Sequence, residues 1–224
     1  MGRIARAMAM AMAMAMAMNG CQPSKTPQAE AARRLLSLPQ AKQAVAAYHD
    51  SGQWERDCSA AARDLLQHVR SAIAQDKPAK PAVVLDLDDT LLSSFELRRK
   101  NGFCATPQQH VQWVLTEFWP AVPGMPDAVL DLQADGVTVF VVSRRPEGLR
   151  LPTLENLSWA GYAPDALYLA PPGDQDLPPG EFKDKIRTMI AKQGFTVLAC
   201  LDDQPEDVGE AHTGRVFIVP NYMY

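Results

Sequence analysis

The chain has 224 residues, 47% hydrophobic and 21% charged, and a net charge of −4 at pH 7. That is one domain, or one domain with a helical appendage, long enough to bury a core. The acidic balance and the lack of any basic run of five residues argue against a nucleic-acid binder. Four cysteines (21, 58, 104 and 200) without C-x-x-C spacing or a nearby histidine pair argue against a zinc site.

Arg3 and Arg6 precede an Ala-Met alternation from Ala7 to Met18, the length of a signal-peptide apolar segment and short of the roughly 20 residues that a spanning helix needs. The segment ends in Met18-Asn19-Gly20-Cys21, which resembles a bacterial lipoprotein signal, although Met18 stands where that pattern prefers Leu. On this reading residues 1–21 are removed or processed as an export signal, and Cys21 carries a lipid that holds the chain at the periplasmic side of a bacterial membrane. An ordinary signal cut elsewhere and a start at a later methionine are the other readings. A disulfide between Cys58 and Cys104 is open in an oxidising compartment. Cys200, inside TVLACL, reads as a small buried residue.

Residues 22–27 form a polar, Pro-containing tether. Residues 28–80 read as a helical layer, with one apolar patch at Leu35, Leu36 and Leu38 and another at Leu65, Leu66, Val69 and Ile73 in three-and-four spacing. Pro39 and Gly52 punctuate the run, Ser59 is a candidate N-cap for the last of these helices, and Pro78 to Pro81 ends it.

Beyond Pro81 the texture changes. AVVLDL, VTVFVVS, ALYLAP, TVLACL and RVFIVP each read as a strand buried on both faces, with helical stretches at 126–133, 151–160 and 182–193 between them. This alternation predicts an α/β fold, a Rossmann-like parallel sheet with helices on both faces over residues 81–224, preceded by the helical layer and interrupted by a small helical cap near 93–122. Ligands of such sheets bind beyond the carboxyl ends of the strands.

The strand ends are acidic. Asp86, Asp88 and Asp89 follow the first run, Ser143, Arg144 and Arg145 the second, Asp202 and Asp203 the fourth with Asp207 shortly after, while Lys183 and Lys185 open the preceding helix. Asp86 and Asp88 point the same way at period two and repel each other unless a cation stands between them. Carboxylates for a hard cation, a hydroxyl and an ammonium at one sheet edge are the parts of a phosphoryl site.

DLDDT resembles the Asp-x-Asp-x-Thr signature of the haloacid dehalogenase superfamily. Ser143 falls on its second motif, Lys183 on its third, and Asp203 and Asp207 on its fourth, where Asp202-Asp203 stands in place of the usual Gly-Asp. TLENLSWAGY, LYLAPP, FKDKIRTMI with Arg187 four after Lys183, and the terminal VPNYMY are similar to the bacterial secreted and lipoprotein acid phosphatases of that superfamily (class B-like, subfamily IIIB). The resemblance covers about residues 41–224. It implies a phosphomonoesterase with Asp86 as nucleophile, Asp88 as general acid and base, and Ser143 and Lys183 on the phosphate. It further implies Mg²⁺ held by Asp86, Asp88 and Asp203, with Asp202 or Asp207 as alternatives. The implied substrate is a small phosphomonoester, a nucleotide being one case. Phosphotransfer to an alcohol and a catalytically silent binding lipoprotein are the alternatives. The silent case is disfavoured because the nucleophile and the lysine are both present.

The remaining residues are read more plainly. Asp89 points away as a helix-start residue. The four-residue step to Arg187 favours Lys183 over Lys185. Trp113 and Phe118 read as cap packing, and Phe95 or Phe103 as a candidate to stack on a substrate ring. Arg144 crowds or assists the phosphate pocket, or is a solvated loop charge. The four histidines show no ligand spacing and read as surface or supporting residues.

Overall fold

The computed structural model describes residues 36–224. The signal segment, the tether, Cys21 and Leu35 lie outside the described residues. Residues Ser37–Tyr224 form one packed unit.

Two helices open it, α1 (Leu38–Asp50) and α2 (Gln53–Asp76). Ser37 caps α1 through a capping box with Gln40, and Pro39 sits in its first turn, where a missing N–H costs nothing. The α1–α2 break comes at Gly52, whose φ of 69° is the left-handed conformation that glycine adopts without a Cβ clash. Ser59 is therefore inside α2 and caps nothing. The turn residue, and not the hydroxyl, decides where this helix begins. Cys58, Ala62, Leu65 and Val69 give α2 a buried stripe, whereas Leu36 and Leu38 of the expected first patch are exposed.

The sheet follows, with β1 (Pro81–Leu85), β2 (Thr138–Pro146), β3 (Ala166–Ala170), β4 (Thr196–Asp202) and β5 (Arg215–Ile218). All pairings are parallel and the order is β3-β2-β1-β4-β5. Between β1 and β2 lie α3 (Phe95–Lys100), α4 (Pro107–Thr116) and α5 (Met125–Ala134). The later crossovers carry α6 (Arg150–Trp159) and α7 (Pro179–Lys192).

Period-two alternation divides the core between the two faces of the sheet. Val83 and Leu85 of β1 join α2 and α5 in one apolar cluster, and Ala82 and Val84 join Phe182, Ile186 and Ile190 of α7 in the other. Each fully buried Leu, Ile or Phe contributes about 1.5–3 kcal/mol relative to exposure. The runs read as buried on both faces are so only in the centre. Among the described residues β5 is an edge strand, with Phe217 buried on one face and Val216 and Ile218 exposed on the other.

Cys58 is buried and Cys104 exposed, both free, so the disulfide left open by the sequence is not formed. Trp113 packs on the core as expected of the cap. Phe118 does not, being 56% exposed and stacked on Trp159, while its neighbour Trp119 takes the fully buried position. Among the described residues no helix is long and apolar enough to cross a membrane.

The strand order reverses direction between β1 and β4. A crevice opens there at the carboxyl ends.

Candidate active site

At the end of β1 the Asp86 amide still bonds to the Leu201 carbonyl of β4 (2.9 Å), and the chain then turns sharply. Leu87 is fully buried in the core. Asp89 adopts φ 58°, a conformation that Asp tolerates better than bulkier residues. Its carboxylate accepts hydrogen bonds from the Ser94 amide (2.7 Å) and hydroxyl (2.8 Å). Asp89 thus braces the loop from a buried position instead of opening a helix. Burial pushes it up to about 6.

Asp86, Asp202 and Asp203 offer carboxylate oxygens that lie within 4.8 Å of one another. Lys183, four residues into α7 and 3% exposed, bonds Asp86 Oδ1 at 2.8 Å and Asp202 Oδ2 at 2.5 Å. Burial lifts the Asp86 carboxyl well above its usual range; Lys183 opposes this and the Asp202 and Asp203 carboxylates add to it. Burial likewise raises Asp202. For Lys183 burial acts to lower, but Asp86 and Asp202 outweigh it and the ammonium is held above its ordinary value.

The donor inventory separates the two neighbouring aspartates. Asp202 spends Oδ1 on the Asp203 and Gln204 amides (3.1 and 3.3 Å) and Oδ2 on Lys183. Asp203 Oδ1 receives only a long contact from the Thr90 hydroxyl (3.4 Å). Asp203 Oδ1 and Asp86 Oδ2 are therefore the oxygens best placed to serve a cation. An all-oxygen, carboxylate-rich set of this kind suits a hard divalent ion.

Asp88 stands outside this trio. It was expected among the metal-holding groups, but Arg145 takes its carboxylate in a fork, with Nη2 at 2.7 Å and Nε at 3.0 Å from Oδ1. His110 Nε2 lies 3.8 Å away and the Ser143 hydroxyl 3.4 Å from Oδ2. Burial tends to raise Asp88, but Arg145 and His110 prevail and hold it below the usual carboxylate range. Burial lowers His110.

These groups line one cleft of about 460 Å³ with Arg98, Thr106, Pro107, Val111, Arg144, Asp207 and Tyr224. Thr106, Pro107, His110 and Val111 of the cap line the cleft together with the carboxylates. Asp207 borders the cleft without entering the trio. Arg144 is exposed and donates to the Gln175 carbonyl (3.0 Å), and Lys185 is drawn away to Asp174 (2.6 Å). Phe95 and Phe103 do not line this cleft. Phe95 stacks on His49 instead, with ring centroids 3.5 Å apart, and Phe103 lies beside it.

A family model described as "HAD superfamily, subfamily IIIB (Acid phosphatase)" matches residues 6–224, which includes every strand end just described. The chain belongs to this family. Among curated relatives of this acid phosphatase family member, vegetative storage protein 1 of Arabidopsis thaliana is 30% identical over 145 residues, 63% of this chain and 54% of that one. Acid phosphatase 1 of Solanum lycopersicum is 27% identical over 146 residues, 63% of this chain and 57% of that one. The chain spans about half the length of the curated relatives it matches. The solved class C acid phosphatase from Bacillus anthracis shares the fold, with a TM-score of 0.64 at 22% identity over 76% of this chain and 71% of that one.

Three residues of this cleft carry more than the sequence reading gave them. Arg145 is 3% exposed, braced by the Thr153 hydroxyl (3.1 Å) and lying over the Trp119 ring (4.8 Å). Next to Arg144, it looks like half of a solvated pair. His110 was set aside as a surface or supporting residue, yet it stands in the cleft. Tyr224 reaches it from the last residue of the chain. Burial, with Asp89 and Asp203 adding, raises its hydroxyl above its ordinary range. The terminal VPNYMY was the available signal for it.

Proposed function

We propose that this protein is an exported, Mg²⁺-dependent acid phosphatase that hydrolyses small phosphomonoesters through an aspartyl-phosphate on Asp86. The observation that carries the reading is a buried carboxylate, Asp86, with one oxygen held by Lys183, standing with the carboxylates of Asp202 and Asp203 at the strand-order reversal. Family membership supports it. Asp86 and Asp203 would hold the cation, which when bound supplies neutralisation of phosphate oxygens.

An Asp86 oxygen attacks phosphorus, the bond to the ester oxygen breaks, and the departing alkoxide takes a proton from Asp88. Lys183 and the Ser143 hydroxyl hold the transferring oxygens. Water then attacks the phosphoenzyme, Asp88 takes its proton, and the phosphorus–Asp86 bond breaks to release phosphate. Arg145 keeps Asp88 ionised in the free site, the form needed for the second half. The substrate dianion adds negative charge beside Asp88 and so favours protonation for the first half.

Asp86→Asn is expected to abolish p-nitrophenyl phosphate turnover while circular dichroism and melting stay near wild type, because the amide is nearly isosteric and a poor nucleophile. Substantial activity in the folded variant would rule out the covalent route. Export and anchoring through Cys21 rest on the sequence alone. Labelled fatty acid should enter the wild-type chain and not Cys21→Ser.

A further inference from the structure

We infer that Asn221 and Tyr224, in the segment that follows β5, are positioning residues that fix the plane of the Asp203 carboxylate, so that one oxygen is held by the protein and the other is left for the cation. The inference rests on the reading of Asp203 as a metal ligand.

Three donors converge on Asp203 Oδ2. Asn221 Nδ2 lies at 2.6 Å, the Tyr224 hydroxyl at 3.1 Å and Gln204 Nε2 at 3.2 Å. A carboxylate oxygen has two lone pairs, so Oδ2 is fully engaged by the protein. Rotating the carboxylate by half a turn would place Oδ1 among these donors and aim Oδ2 at the cation site with no gain in hydrogen bonds. The two oxygens are equivalent, so the clamp does not choose between them; it fixes the plane of the carboxylate, with one oxygen held and the other left for the cation, and removes rotational freedom that a cation would otherwise have to freeze.

The clamp is itself held at each step. The Val219 amide bonds to the Asp202 carbonyl (2.8 Å), and Trp54 Nε1 of α2 bonds to the Pro220 carbonyl (3.1 Å). The Met223 amide bonds to Asn221 Oδ1 (2.9 Å), which fixes the orientation of the amide that serves Asp203. Tyr224 lies under the Arg98 guanidinium at 4.1 Å, and its hydroxyl, with one proton to give, is shared between Asp203 Oδ2 and Asp89 Oδ2 at 3.0 Å. One hydroxyl thereby ties the loop after β1 to the loop after β4, the two loops that supply Asp86 and Asp203. Partners of this kind behind a metal ligand change metal affinity by about 10–100-fold when removed.

The test is direct Mn²⁺ binding to the full chain after chelation, with free Mn²⁺ followed by electron paramagnetic resonance, alongside thermal melts in chelator. The variants are Asn221→Ser, Tyr224→Phe, the double variant, Asp203→Asn, and the exposed Tyr222→Phe as a control. The double variant should bind about 10-fold or more weakly, each single variant should fall between it and wild type, and Tyr222→Phe should match wild type. Melting in chelator should change little, because the Tyr224 ring and the Asn221 backbone remain. An Asp203→Asn variant that loses Mn²⁺ while the double variant keeps wild-type affinity would overturn the clamp and leave the metal reading standing. Wild-type binding that persists in Asp203→Asn, or no binding in wild type, would overturn the metal reading and the clamp with it. A double variant with a lowered melting point and unchanged affinity would reduce the segment to a structural role and would also overturn the inference.

Discussion

His49 shows how far a residue's chemistry is set by neighbours that its own sequence context does not name. Its ring lies against Phe95 at 3.5 Å and 2° and against Trp54 at 4.4 Å, an arrangement that strips water from the imidazole. Burial lowers it from 6.5 to about 4, with Arg99 adding and Asp50 opposing. Between those values the unfolded chain binds the proton and the folded chain does not, so His49 stability is full above pH 6.5 and is lost as pH falls toward 4. His49→Phe keeps a flat ring in the stack and removes the titration. The drop in melting temperature between pH 7 and pH 4 should therefore be shallower in His49→Phe, and an equal drop in the two proteins would sink the argument. What His110 and Arg145 do escaped the sequence reading for the same reason as His49. Their roles come from Asp88, Trp119 and Phe95 on other segments, and no spacing along the chain encodes such pairings.

At the scale of elements, α7 explains why Lys183 and Arg187 stand four residues apart. One turn places both on the same helix face. Lys183 then meets the carboxylates while Arg187, 1% exposed, fastens the loop that follows β4. Its Nε donates to the Ala211 carbonyl (2.7 Å), and its Nη2 donates to the Val208 carbonyl and to Asp184. Asp184 in turn accepts from the Glu210 and Ala211 amides at 2.9 Å. Arg187→Lys keeps the charge but cannot serve three acceptors from one planar fork. With buried acceptors left unmet it should cost about 1–3 kcal/mol in urea unfolding. Because Lys183 stays in place, the active-site carboxylates should keep their partner. A variant within a few tenths of a kcal/mol of wild type would show that the fork is dispensable. Central strands were legible because a parallel sheet buries both faces and leaves continuous apolar runs. The start of α2 was half legible, because Gly52 read as a break while Ser59 read as the cap; the exposure of β5 was not, since it depends on how far the layers covering the sheet reach over its edge. The acids of the site were legible because they follow strands directly. The choice between Asp202 and Asp203 needed the donors on each oxygen.

Across the whole molecule, the two apolar clusters share β1, which sends Val83 and Leu85 to one and Ala82 and Val84 to the other. Neither layer can open without stripping one side of the central strand, so the helical layer formed by α2 and the layer formed by α7 should unfold as one. The cysteines report this directly. Cys58 lies on α2 in the first cluster, and Cys200 lies on β4 in the second. Both are free and buried, and burial pushes their thiols up to about 12 and about 11, which makes them inert in the native state. Cys104 is free and exposed. Pulsed labelling with a thiol reagent at increasing urea, resolved by peptide mass, should modify Cys104 without denaturant and reveal Cys58 and Cys200 at one common midpoint. If Cys58 became reactive at clearly lower urea than Cys200, the helical layer would be a separate cooperative unit, and the shared strand would not couple the two faces. A common midpoint that moves upward together when Mg²⁺ is added would extend the coupling to the active site, because a ligand that binds the folded form alone stabilises everything that unfolds with its site.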